Sequence, residues 1–435
     1  MKNIKKITLV IIFLLSFSFI FAGSIDYLSN QSAAYIRTLS RNASTDNADI
    51  ISYNPAGVTK MSDGFYINFN NQSFIKEYSV TGPVPGDTVS TKFKTTIPSL
   101  VIPTFYALYK KDNLGIFASF TIPAGGGNLD YKDGLYVMPY LETGLQQAMH
   151  AAQGDPYAEY MFAKLIKGRF EGSSIYYGYS AGAAYAINEN ISISLTGRYI
   201  SSQKTYKGSG NFLILNGALG SVADTTFQQL DAEKTASGLG AIIGINLNYG
   251  KTNIGFRYET ITKLEFETKT KINDWSLLPK MVSYLDGAKE RKDLPAMIGT
   301  GISYEWTESF KTSIGLQYFF IKQTSNKNIA YKEYDNGYEL QTSFEYQINQ
   351  KLLISMGYNY VVVGGNKKTY NDFEYQLDSH FIGGGCKYGI TDLIDLNIGL
   401  GKVFYLEEKG DDIYKNAEYN KDIVILSLGL NYKIF

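Results

Sequence analysis

Large apolar side chains return at every second position over long stretches of this chain. Leu352, Ile354, Met356, Tyr358 and Tyr360 alternate with Leu353, Ser355, Gly357 and Asn359. Ile394, Leu396, Ile398 and Leu400 alternate with Asp395, Asn397, Gly399 and Gly401. Phe310, Thr312, Ile314, Leu316 and Tyr318 do so with Lys311, Ser313, Gly315 and Gln317, and Leu340, Thr342, Phe344, Tyr346 and Ile348 with Gln341, Ser343, Glu345 and Gln347. A period of two places each set on one face of a β-strand. Counting such segments predicts fourteen strands, near 64–72, 98–110, 113–123, 173–187, 190–204, 236–249, 251–262, 293–305, 308–321, 337–348, 351–364, 378–389, 392–405 and 422–435. Most are about 9 to 14 residues long, which suits tilted strands that cross a bilayer better than strands of a soluble sheet.

The connections alternate between short and long. Lys111-Asp112, Asn188-Glu189, Gly250, Trp306-Thr307, Asn349-Gln350 and 389–391 are short turns; 73–97, 124–172, 205–235, 263–292, 322–336, 365–377 and 406–421 are long loops. Short turns belong on the periplasmic side of an outer-membrane barrel and long loops outside. An even strand number and closure of the sheet remove the exposed edges that lipid cannot satisfy. The expected fold is all-β: a 14-stranded antiparallel transmembrane β-barrel.

Composition agrees. The chain holds 36 Tyr, 25 Phe and 42 Gly against 10 Pro, and aromatic girdles are a mark of membrane barrels. No apolar run after residue 22 is long enough for a spanning helix. Lys2, Lys5 and Lys6 precede the apolar run Ile7–Phe21, and Ala22-Gly23 offers a cleavage point, so 1–22 reads as a signal peptide. No Cys sits at that point, so no lipid anchor is expected there. Of 41 basic residues three lie in this leader, leaving 38 against 41 acidic, a balance that gives no reason to expect nucleic-acid binding. The one cysteine, Cys386, permits no internal disulfide and sits on an apolar face.

Residues 23–63 lack alternation and are expected to plug the lumen. In the loop 124–172, Met138–His150 and Pro156–Lys167 have helical composition, with Asp155-Pro156 as a helix start, so two short helices are expected outside the barrel mouth. The final strand presents Val424, Leu426, Leu428, Leu430, Tyr432 and Ile434 on one face, which leaves the terminal Phe435, a common signal to the outer-membrane assembly machinery, out of phase.

Ala48–Met61, containing Tyr53-Asn54-Pro55-Ala56-Gly57-Val58-Thr59, resembles the plug motif of the FadL/TodX outer-membrane transporters of hydrophobic compounds. Phe117–Gly127, ending Ile122-Pro123-Ala124-Gly125-Gly126, resembles the third strand of that family and the Pro-Gly break after it. Gly255–Thr260 resembles its Gly-x-x-Tyr-Arg-Ser strand, but here Tyr258 is followed by Glu259 and preceded by Arg257. Leu294-Pro295 resembles the start of its eighth strand. The resemblance spans 30–435. It implies fourteen strands with an N-terminal hatch, and uptake of long-chain fatty acids or other hydrophobic molecules by loop capture, lumen binding and lateral exit. It also implies a passive monomer in the outer membrane, in contact with outer-membrane lipid and without a cofactor.

Candidate site residues follow. Asn54, Pro55, Ala56 and Gly57 form a candidate hatch hinge, or a plain turn, since Asn-Pro favours turns. Arg198, Arg257, Lys311 and Lys387 face the lumen by parity and could pair with a ligand carboxylate, or with the inward Glu259, Glu345 and Asp395. Pro123, Gly125, Gly126 and Gly127 could interrupt the ladder and open a lateral exit, or only end a strand. Leu141, Leu145, Met149, Met161 and Phe162 could line an outer capture groove. No metal-ligand cluster, phosphate loop or nucleophile–base constellation appears; His150 and His380 stand apart. The alternatives to fatty-acid uptake are an aromatic-hydrocarbon transporter of the same fold, and a plugged surface barrel acting as adhesin or structural protein.

Overall fold

The computed structural model describes residues 32–84, 89–142, 146, 161–216, 221–274, 282–324, 333–370, 372, 375–411 and 416–435. Fourteen strands form the wall: β1 (Gly64–Pro83), β2 (Ser99–Lys111), β3 (Leu114–Tyr131), β4 (Met161–Ala186), β5 (Ile191–Asn216), β6 (Ser221–Tyr249), β7 (Thr252–Glu259), β8 (Met297–Glu305), β9 (Phe310–Phe319), β10 (Gly337–Gln347), β11 (Leu352–Val362), β12 (Ser379–Gly389), β13 (Ile394–Tyr405) and β14 (Glu418–Lys433). Each pairs antiparallel with its neighbours in sequence, and β1 pairs with β14 from Tyr66↔Lys433 to Thr81↔Glu418, closing the barrel. Four short strands, Ser90–Thr95, Glu265–Asn273, Lys289–Arg291 and Glu408–Lys409, extend the sheet at the long-loop end.

The expected alternation is realised in space. Ile354, Met356 and Tyr358 are exposed on the outside, as are Ile314, Leu316, Leu340, Phe344, Tyr346, Leu426, Leu428 and Leu430. Their partners Ser343, Asn359, Gln317, Asn397 and Ser427 are buried inside. A wall apolar outside and polar inside is what lipid requires of a barrel. The six short turns fall where expected. At the end of β14 the strand stops at Lys433, and Ile434 and Phe435 are both exposed, so Phe435 is indeed out of step with the apolar face.

The long loops are shorter than the sequence suggested, because the strands run on beyond the membrane. β4, β5 and β6 are 26, 26 and 29 residues long. Outward residues of the extension of β5, such as Thr205, Lys207, Ser209 and Asn211, meet water rather than lipid; the apolar contrast ends there while the ladder continues. Thus 205–216 and 221–235 are strand, not loop. The helix expected over 156–167 is corrected over its described part. Residues 161–167 begin β4, paired with 211–216, and Ala163 and Phe170 face in. Cross-strand pairing overrides helical composition here. Over the other expected helix, Met138–Tyr140 form a turn of 3₁₀ helix, Leu141, Glu142 and Gln146 are α-helical, and the rest lies outside the described residues.

Residues 32–61 lie inside the barrel. A short helix α1 (Ala33–Thr38), capped by Ser32, packs on β12 and β13, and two 3₁₀ turns, Ala48–Ser52 and Pro55–Lys60, pack on the opposite wall. The wall makes room with glycine. A side chain at Gly255 would run into the carbonyl of Asn42, and one at Gly357 into that of Thr38.

Candidate functional site

The lumen has two layers. Towards the short turns it is polar and filled by residues 32–61. Arg37 is 1% exposed and donates through Nη1 to Glu345 (2.6 Å) and Ser355 (3.1 Å), and through Nε to Asn397 (2.9 Å). Lys311 reaches the other oxygen of Glu345 at 2.7 Å. Arg41 holds Asp49 with a two-point contact of 2.6 and 3.1 Å and Asp46 at 2.8 Å. Three cations thus meet three carboxylates. Bidentate pairs of this kind are the stronger charge-assisted contacts.

The candidate hinge sits on the other wall. Asn54 Nδ2 donates to the carbonyl of Ser44 (3.1 Å) and to Asn246 Oδ1 (2.7 Å). Pro55 opens the second 3₁₀ turn, and Thr59 meets Ser192 at 2.6 Å. Ala56 and Gly57 are buried, and a side chain at Gly57 would meet the Asn54 side chain. The motif is therefore clamped to β5 and β6 by side-chain hydrogen bonds. Below it, a cavity of about 310 Å³ opens between Thr45, Asp46, Asp392, Asp395, Asn431 and Lys433.

Towards the long loops the lumen is apolar and aromatic. Tyr176, Ile200, Leu264, Phe266, Leu294, Met297, Phe319 and Tyr334 form one cluster with Ala124 at its edge. Lys204 stands over it, 4.5 Å from the Phe266 ring and 5.5 Å from that of Tyr176. Lys234 stands over Tyr284 (4.6 Å) and pairs with Glu290 at 2.9 Å. A second cluster, including Val80, Phe93, Tyr131, Tyr136 and Tyr375, covers the mouth.

One contact in that cover is ionisable. Val137 N–H donates to Asp372 Oδ2 at 2.6 Å, and burial pushes the Asp372 carboxyl up to about 7, against that one hydrogen bond, which favours the carboxylate. The free acid titrates near 4, so the docked state binds the proton more tightly than the undocked one. The docking it supports is complete below pH 4 and is lost as pH rises through 7. The Val137 amide should exchange hydrogen faster in the wild type than in Asp372→Asn at pH 8, by a ratio that builds up about tenfold per pH unit between 4 and 7 and then levels off, and at equal rates at about pH 3. Equal rates at both values would show that Asp372 carries no such linkage.

The wall itself is interrupted. β2 and β3 pair from Lys111↔Leu114 only as far as Phe105↔Phe120, although β2 begins at Ser99 and β3 runs on to Tyr131. On its other side β3 shifts register against β4 between Thr121 and Ala124 and again between Gly125 and Gly127. Pro123 can give no ladder hydrogen bond. Gly125 and Gly126 have φ of 70° and 85°, left-handed values that L side chains rarely adopt. These four residues therefore lie within a strand, at a break in it. β2 is irregular opposite: Asn71 side-chain atoms bind the carbonyl of Leu100 (3.0 Å) and the amide of Ile102 (3.1 Å), and Leu100 and Val101 are both exposed to the outside. Ala124 and its β4 partner Tyr176 join the break to the inner aromatic cluster.

The other sequence candidates divide. Arg198 and Arg257 do face the lumen, but both meet Glu259, at 2.6 and 3.3 Å, and Arg257 also binds Gln317 at 3.2 Å. With Lys311 on Glu345 and Lys387 half-buried beside Asp46, the four basic candidates fall into two separate groups, each already facing a carboxylate, and form no single site. Leu141 packs against the cluster at the mouth, whereas Phe162 is exposed on the outside of β4, so these two share no groove. Met161 begins β4, and Leu145 and Met149 lie outside the described residues. Lys204, Tyr176 and Phe266 were missed. Lys204 shares the inward parity of Arg198, and extending that parity six residues would have found it.

Comparison with solved structures places this geometry. A Pseudomonas aeruginosa FadL homologue matches with a TM-score of 0.64 at 12% identity, over 94% of this chain and 100% of that one. The chain has the FadL/TodX fold. The Pseudomonas putida toluene transporter TodX matches at TM-score 0.60 and 12% identity, over 90% and 96% of the two chains. The Ralstonia pickettii toluene transporter TbuX matches at 0.60 and 12%, over 94% and 100%. No family model and no curated protein sequence matches.

Proposed function

We propose that this chain is an outer-membrane channel for passive uptake of hydrophobic molecules, foremost long-chain fatty acids. Ligand is captured at the aromatic mouth, rests in the apolar outer half of the lumen, and leaves sideways into the bilayer. The observation that carries this reading is the break in pairing between β2 and β3, which lies beside the inner aromatic cluster. A sideways exit spares an apolar chain from crossing water, at about 0.8 kcal/mol per exposed CH₂. The buried Lys204 and Lys234 favour an acid over a plain hydrocarbon, because a cation set among rings can receive a carboxylate.

In this reading 1–22 is the export signal and 23–63 the hatch, with Asn54-Pro55-Ala56-Gly57 as its fixed point. The closing strand with Phe435 addresses the assembly machinery, and a monomer suffices. A second reading, an aromatic-hydrocarbon channel, is favoured by the ring-rich lining of Tyr176, Phe266, Phe319 and Tyr334 and by the toluene transporters among the structural matches.

Competitive uptake of labelled oleate and toluene by cells producing the chain separates the two. Oleate uptake should rise severalfold over cells lacking the protein and resist excess toluene. A rise for toluene alone would favour the second reading. No rise for either would leave only a plugged surface barrel.

A further inference from the structure

The break in the wall is bordered by polar groups that an apolar passage does not need. Lys76 of β1 faces inward and is only 7% exposed. A side chain at Gly127 would run into its Nζ and lie 3.5 Å from Oγ of Ser99, so Lys76 and Ser99 converge on the break from the β1–β2 side. Gln72, 1% exposed, pairs in register with Ile102, whose Cδ1 is 3.1 Å from where a side chain at Gly126 would begin. Among the described residues neither polar atom of the Gln72 amide meets a hydrogen-bond partner, and neither does Ser99 Oγ. Buried groups left in that state cost stability unless something binds them.

The height of the break fits an amphiphile. Phe120, where the β2–β3 ladder ends, packs with Tyr177 and Tyr179 on the outer surface at ring separations of 6.2 and 5.3 Å. Aromatic girdles of this kind mark the lipid–water interface. Leu100 and Val101, 57% and 75% exposed, provide an apolar sill outside.

We propose that the break carries a head-group site of its own, in which Lys76, Gln72 and Ser99 hold the carboxylate of a departing fatty acid while its tail passes into the bilayer past Gly126, once the Ile102 side chain that lies against it swings aside. The Lys76 ammonium and the Gln72 amide N–H donate to the two carboxylate oxygens. The Ser99 hydroxyl can add a third hydrogen bond. The site would give the exit a preference for acids over neutral compounds of the same chain length. It rests on the uptake reading above, and it extends that reading to a specificity the wall itself imposes.

The test compares uptake of oleate and of oleyl alcohol, which has the same chain without the charge, by cells producing the full chain, with uptake by cells lacking it subtracted. Lys76→Met should lower oleate uptake about tenfold, the worth of one charge-assisted hydrogen bond, and leave the alcohol within about twofold. Gln72→Leu should give a smaller loss, again for the acid only, and Lys76→Arg should retain most of the oleate uptake. Equal losses for acid and alcohol, or an unchanged rate for the acid, would overturn the proposal. Should Lys76→Met fail to assemble, the acid-to-alcohol ratio in Gln72→Leu decides: a lowered ratio supports the site and an unchanged one overturns it. If the wild type raises uptake of neither ligand, the transport reading itself fails, a result distinct from all of these.

Discussion

Arg37→Ala should free the segment inside the barrel without unfolding the wall. Arg37 is enclosed and binds Glu345, Ser355 and Asn397 on β10, β11 and β13. Its loss leaves Glu345 with Lys311 alone and takes a hydrogen bond from the buried Asn397 and the half-buried Ser355. Removing one member of a buried ion pair costs about 3–5 kcal/mol. That cost falls on the docking of α1, because the wall is held by its own ladder from β1 round to β14.

In planar bilayers the variant should conduct ions severalfold better than the wild type, while the temperature at which the barrel loses its folded mobility in electrophoresis stays within a few degrees. The combined variant Arg37→Met, Glu345→Gln removes one charge of each sign and leaves Lys311 and Arg41 against Asp46 and Asp49, and replacing such a pair by uncharged groups is often neutral. It should restore low conductance. Wild-type conductance in Arg37→Ala would mean that the ion pair does not hold the segment in place.

Most of the wall was legible in the sequence because lipid and lumen impose opposite demands on successive residues. Met356 and Gly357, or Leu428 and Ser427, could be assigned to their sides by parity alone. The strand ends were not legible. Above the membrane Thr205 to Asn211 face water outside, so nothing in their polarity separates strand from loop. Residues 161–167 show the same limit from the other direction: their helical composition says nothing of the register with 211–216 that makes them strand. The candidate site was legible where backbone chemistry speaks for itself, as at Pro123, Gly125 and Gly126. It was less so where partners come from distant strands. Arg198 and Arg257 face the lumen as expected, yet their shared carboxylate Glu259 appears only once β5 and β7 are placed on either side of β6. Lys76 and Gln72 gain their meaning from β2 and β3 ceasing to pair at Phe105 and Phe120, an event that neither strand records alone.

In the proposed route, ligand leaves through the break between β2 and β3, and only there. A side chain at Gly126 would begin 3.6 Å from Cγ1 of Ile102, the place that a cysteine sulfur would take at position 102, so a small shift of either side chain brings two cysteines there into bonding geometry. Cysteine at Gly126 carries a left-handed backbone penalty of about 1–2 kcal/mol, which an extended barrel ladder can absorb. With Cys386 replaced by serine, Ile102→Cys and Gly126→Cys can be joined and parted at will. The decisive measurement is oleate uptake by cells producing this double variant, oxidised and then reduced. Oxidation should bring uptake down to that of cells without the protein, and reduction should restore it. Uptake that continues undiminished through the stapled wall would mean that ligand has another way out and that the proposed route is wrong.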